Sequence, residues 1–212
     1  MKFRRSIFAG AVLALSSVAF TAQAQVIDFD GFGLTNLNNS SVAEDGFNIT
    51  HSGSFAQIFP NAGQGATDFS GNGTARLVSF NTSSISLTSA SSSLFGLSRF
   101  DGGESWIQAG QAHRWATQIQ VVGTYADNST TVQVFNLDLV KSPLLGMETF
   151  TLNNSFAGGL KKVVFTGIGG NPEFSLDNIA VAAVPEPETY ALLLAGLGLM
   201  GTVARRRKAA RG

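Results

Sequence analysis

From Val26 to Val181 the apolar side chains of this chain come in short runs at every second position. Ser84-Ile85-Ser86-Leu87-Thr88 alternates throughout. Phe95 with Leu97, Ile119 with Val121, Phe135 with Leu137 and Leu139, and Val163 with Phe165 continue the pattern. A strand turns successive side chains to opposite faces, so a period of two means one buried face and one wet face. Within the body, residues 25–184, no stretch of helical period long enough for a helix interrupts it. Between the runs stand Ala62-Gly63, Gly71-Asn72-Gly73, Asp101-Gly102-Gly103 and Gly169-Gly170, read as turns. Gly, Ser, Thr and Asn together make up about a third of the chain, and they favour turns and strands over helix interiors. The pattern predicts roughly ten strands in an all-β, jelly-roll-like β-sandwich. Trp115, in phase with Ile119 and Val121, is expected in its core.

The last run breaks phase. Phe174 and Leu176 share one parity, Ile179 and Val181 the other, and the switch falls at Asp177-Asn178. A one-residue bulge there would keep all four apolar side chains inward and re-aim the two polar ones.

Both ends differ from the body. Met1–Arg5 is basic, Ile7–Phe20 is apolar, and Ala22-Gln23-Ala24 has the small-x-small pattern a signal peptidase accepts, so residues 1–24 read as a secretory signal peptide. At the other end, Val184-Pro185-Glu186-Pro187 denies the backbone helix and strand. Tyr190–Ala204 then carries no charge, and Arg205, Arg206, Arg207 and Lys208 close the run. Fifteen helical residues rise about 22 Å, short of a ~30 Å hydrocarbon core, but a helix over about 188–204 just spans, with the basic cluster held in the cytoplasm. The domains expected are therefore the leader 1–24, the sandwich 25–184 and a terminal segment 185–212. Export also makes it notable that the chain has no Cys: the body is held by packing or by a metal, not by disulfides.

The string VPEPETYALLLAGLGLMGTVARRRK resembles the PEP-CTERM sorting signal of Gram-negative bacteria that make extracellular polysaccharide. The resemblance implies that an exosortase processes this chain near Pro185, Glu186 and Pro187, and that the chain is substrate, not enzyme. The precursor would be anchored in the inner membrane and the product would reach the cell surface or biofilm matrix. The ending Phe174-Ser175-Leu176-Asp177-Asn178-Ile179 also resembles the closing strand of many PEP-CTERM sandwiches and of some carbohydrate-binding jelly rolls.

Two candidate sites stand in the body. Asp28 and Asp30, at alternate positions near the first strand, with Asp177 and Asn178 near the last, could supply four oxygens to a structural Ca2+, as in the resembling carbohydrate-binding sandwiches. The alternative is a set of turn-capping carboxylates. Trp106, just after Asp101-Gly102-Gly103-Glu104, is read as a loop aromatic able to stack on a sugar, with Asp101 and Glu104 as hydrogen-bonding partners. The alternative is a ring folded over the sandwich edge.

Charge narrows the function. Charged residues are 13% of the chain, about half the ~25% usual in soluble domains. Eight of the fourteen basic residues lie in the two ends, leaving twelve carboxylates against six bases in the body. Such a body lacks the basic stripe that nucleic acid requires. No G-x-S-x-G, P-loop or H-E-x-x-H occurs, and nothing nominates a catalytic carboxylate pair. The chain reads as a non-catalytic, exported surface protein that associates with exopolysaccharide or envelope components. A ligand-free structural protein and a polysaccharide hydrolase are the alternatives.

Overall fold

The computed structural model describes residues 24–37, 40–61, 69–105, 115–140, 142, 144–170, 172–183, 194–202 and 206. In chain order the strands are β1 (Ala24–Ile27), β2 (Thr35–Asn36), β3 (Ser41–Glu44), β4 (Phe47–Ser52), β5 (Phe55–Phe59), β6 (Arg76–Phe80) and β7 (Ser84–Ser89). They continue with β8 (Phe95–Glu104), β9 (Gln118–Tyr125), β10 (Thr130–Asn136), β11 (Glu148–Thr151), β12 (Leu160–Ile168) and β13 (Phe174–Ala183).

All pairings are antiparallel and form one branched hydrogen-bonded sheet that curls into two layers. The first layer runs β3-β4-β7-β12-β9-β10, with Val163 opposite Leu87 and Phe165 opposite Val121. The second runs β11-β8-β13-β6-β5-β2, with β1 beside the far half of β13. The layers join through one register pair between β12 and β8, Leu160 with Phe95.

The alternating residues meet between the layers. Phe100 of the second layer stands edge-on to Phe165 of the first at 5.1 Å, and Phe47 meets Phe95 at 5.1 Å. Ile27, Ile49, Ile58, Leu77, Phe174 and Leu176 are fully buried in the same cluster. Burying one such side chain contributes roughly 1.5–3 kcal/mol. A smaller cluster of Phe59, Phe69, Val78 and Phe80 lies apart from the main core, where β5 and β6 turn their other faces.

The bulge at the end of the chain is present. Asp177 pairs with Asp101 and Ala180 with Arg99, so β13 spends one more residue than β8 across that interval. Asn178 takes a left-handed φ of 47°, and Phe174, Leu176, Ile179 and Val181 are all buried.

Several local expectations are corrected. Asp101-Gly102-Gly103 is no turn but the interior of β8. A Cβ on Gly102 would come within 2.8 Å of Ile119 Cδ1, and one on Gly103 would overlap the Gly146 carbonyl, so these glycines admit neighbours pressed against both faces. Leu139 is 52% exposed, because the chain leaves the sheet after Asn136 and turns with φ of 66° at Leu139 itself. Trp115 lies ahead of β9 and is half-buried, and Ala116 takes the buried place. The excess over ten strands comes from short pieces such as β2 and β11, too brief to show a period.

Residues 1–23 of the leader, Ala62-Gly63, Trp106, Pro185, Glu186, Pro187, Arg205, Arg207 and Lys208 lie outside the described residues. Residues 194–202 are helical and exposed, as is Arg206. Among the described residues no helix is long and apolar enough to cross a membrane.

Candidate functional site

The bulge at Asp177-Asn178 organises a polar cluster on the face of the second layer that points away from the core. β8, β13 and β11 set Asp101 beside Asp177 on one side and Thr149 on the other. The left-handed turn at Asn178 lets its backbone N–H donate to Asp177 Oδ1 at 2.7 Å and its Nδ2 donate to Asp101 Oδ2 at 2.8 Å. Thr149 Oγ1 donates to Asp101 Oδ1 at 2.7 Å.

A strap between Phe69 and Ala75 closes over this cluster. Asn72 Nδ2 donates to Asp177 Oδ2 at 2.9 Å, and Thr74 Oγ1 donates to the same oxygen at 2.7 Å. The Ala75 N–H donates to Asp30 Oδ1 at 3.0 Å, which ties the segment after β1 to the same strap. Ser70 N–H to the Ser105 carbonyl, Gly71 N–H to the Ser142 carbonyl and Gly146 N–H to the Gly71 carbonyl hold the strap down. Beneath it lies Arg76, almost fully buried, with Nη2 donating to the Phe69 carbonyl at 2.9 Å.

Burial sets the electrostatics. Desolvation pushes the Asp177 carboxyl up to about 7, against the hydrogen bonds from Thr74, Asn72 and Asn178 that favour its charge. Desolvation also lowers the Arg76 guanidinium, against the attraction of Asp177.

The sequence-nominated residues divide. Asp30, Asp177, Asn178 and Asp101 come together through the strap. Asp28 goes elsewhere, because Phe29 between the two aspartates is buried with a φ of 60°, which ends the strand alternation. Asp28 instead meets Glu44, whose carboxylate also accepts the Phe29 N–H at 3.2 Å. Burial, with the charges of Asp28 and Asp45, raises Glu44 to about 7. Glu104 is fully buried, accepts the Leu139 N–H and is raised by that burial. It therefore stands inside the protein, three residues along β8 from the half-buried Asp101.

Among the described residues no three His, Cys, Asp or Glu side chains form a group able to hold a metal ion. A cation at Asp177 would have to displace the donors that Asn72, Thr74 and Asn178 already supply. The oxygens of Asp101 and Asp177 are committed to amides, hydroxyls and backbone, which suits a staple between strands better than proton transfer. Asn72, Thr74, Arg76, Glu44 and Thr149 escaped sequence reasoning. Asn72 was legible only as part of a turn, and the other four stand at unexceptional positions in or beside strands.

Residues 183–208 match the PEP-CTERM protein-sorting motif. The chain thus carries a C-terminal sorting signal that begins on the last residue of β13. No curated protein matches the sequence. Among solved structures the chain is similar to a variant of a family 29 carbohydrate-binding module complexed with mannohexaose, at 15% identity over 76% of this chain and 92% of that one, with a TM-score of 0.40. It is also similar to CBM32-3 from a family 31 glycoside hydrolase of Clostridium perfringens, at 12% identity over 61% of this chain and 76% of that one, with a TM-score of 0.33.

Proposed function

We propose that this chain is cargo for an exosortase. It is an exported precursor, anchored in the inner membrane by its C-terminal segment, whose β-sandwich is delivered non-catalytically to the surface or matrix and associates there with extracellular polysaccharide. The sorting motif at 183–208 carries the reading. Pro185, Glu186 and Pro187 are the recognised triplet, and Arg205, Arg206, Arg207 and Lys208 stop the segment at the cytoplasmic face. The non-catalytic character is supported by the way both carboxylate oxygens of Asp101 and of Asp177 are spent on internal hydrogen bonds. Association with polysaccharide is supported by a body poor in charge and rich in hydroxyl and amide groups, which exchange hydrogen bonds with sugars readily. Trp106 is the aromatic proposed to stack on a sugar ring.

Replacing Pro185, Glu186 and Pro187 together by alanine is expected to leave uncleaved precursor in the inner membrane, read by membrane fractionation. Normal release of that variant contradicts the sorting half. Residues 25–184 are expected to co-sediment with purified exopolysaccharide and to lose binding in Trp106→Ala. Absence of binding leaves a structural surface protein, and turnover of the polysaccharide would show a hydrolase.

A further inference from the structure

Ala24 stands opposite Ala182, Gln25 opposite Val181, Val26 opposite Ala180 and Ile27 opposite Ile179. The last residue before the expected leader cut is therefore register partner to a residue just ahead of the sorting motif, and both processing points leave the sandwich side by side at one end. β13 is clamped there on its other flank as well, with Ala182 opposite Gly96 and Ala183 opposite Phe95. β1 has no second partner strand among the described residues.

Reach fixes the orientation of this end. Four residues separate Phe20, where the leader's apolar run ends, from Gln25, and six separate Ala183 from Tyr190, where the second apolar run begins. At most ~3.6 Å per residue, these tethers allow roughly 14 Å and 22 Å. A body held by either one keeps this end near the bilayer surface.

Resting on the sorting reading above, we propose that the β1/β13 end is the membrane-facing pole of the precursor, and that leader removal precedes the docking of β1 on β13. In that hydrolysis water adds across the Ala24–Gln25 amide. The Ala24 carbonyl carbon takes the hydroxyl, and the Gln25 nitrogen takes the proton and leaves as a new amino terminus. A peptidase holds its substrate extended through backbone N–H and C=O groups, and β1 offers those same groups to β13. Ile27 is fully buried beside Ile179 and Val181, so freeing the strand also means pulling an anchor from the core. β13 is the last strand to leave the translocation channel. The cut thus belongs to the interval before β13 arrives, and the trimmed strand then zips onto it. The C-terminal cut follows on a folded body, whose sheet ends at Ala183, two residues before Pro185.

Full-length precursor in detergent micelles, incubated with purified signal peptidase, tests the order. The N-terminus of the product is read by mass, and the C-terminus independently. Folded precursor is expected to be cut at Ala24–Gln25 at least tenfold more slowly than precursor held in urea at a concentration the peptidase tolerates. Ile27→Asp, which undocks β1, is expected to restore the rate in the folded protein. A second variant covers the case in which Ile27→Asp does not fold. Val26→Cys with Ala180→Cys joins register partners in a chain that has no other cysteine, and is expected to resist cutting more when oxidised than when reduced. Equal rates for folded and unfolded precursor, or for the oxidised and reduced pair, overturn the proposal, as does an unfolded precursor that is never cut at this bond. A precursor cut as expected at Gln25 but never trimmed near Pro185 in cells would instead count against the sorting reading alone.

Discussion

Glu44 and Asp177 carry the clearest single-residue consequences. Both carboxyls are raised to about 7 in the folded chain, from ordinary values near 4. Between about pH 4 and pH 7 the folded state therefore binds more protons than the unfolded one, and stability falls as pH rises through that window. The melting temperature of residues 25–184 is expected to be higher at pH 5 than at pH 8. Glu44→Gln keeps an acceptor for the Phe29 N–H and removes the charge facing Asp28, so it is expected to flatten that decline and gain most above pH 7. An unchanged pH profile would show that Glu44 titrates near its ordinary value. Asn178 tests the bulge. Its left-handed backbone costs an alanine about 1–2 kcal/mol, and the lost amide donor to Asp101 about 1 kcal/mol more. Chemical denaturation is expected to place Asn178→Ala ~2 kcal/mol below the parent and Asn178→Gly between the two. The phase break in Phe174–Val181 marks this residue in the sequence itself, because only an extra residue lets both parities face one core. The partners that Asn178 and Asp177 find in Asn72, Thr74 and Asp101 were not legible, since they come from segments distant in sequence that share no pattern.

At the scale of elements, alternation was the reliable guide wherever one face of a strand meets the core. Ile85 and Leu87, Ile119 and Val121, and Val163 and Phe165 are all buried as their spacing requires. Turn composition misled at Asp101-Gly102-Gly103, where glycines that resemble a turn serve instead to let the loop around Gly146 and the Ile119 side chain lie against β8. Gly103→Ala tests this directly. The new methyl must displace the Gly146 backbone, an overpacking that costs roughly 1–3 kcal/mol. The variant is expected to melt lower and to lose hydrogen-exchange protection first at the Gly146 N–H, which bonds to the Gly71 carbonyl. Protection lost evenly across the sheet would mean that the loop is not the element under pressure. The run Phe135, Leu137, Leu139 failed at its last member because alternation says nothing about where a strand leaves its sheet.

For the whole molecule, the division of charge is informative. A body of low charge lies between two ends that hold most of the basic residues, and these ends bracket strands that lie side by side. The sorting motif was legible in full because its parts are contiguous in sequence: a proline-rich joint, an apolar run and a basic stop. The ligand surface was not legible, because stacking rings and hydrogen-bonding groups become a site only through folding, and one of the two tryptophans, Trp106, lies outside the described residues. The claim that the chain is a delivered sandwich trimmed at both ends is tested most directly by the intact mass of the protein recovered from the cell surface. A species beginning at Gln25 and ending close to the Pro185–Pro187 triplet is expected. A surface species that still carries both Met1 and Gly212 would contradict it.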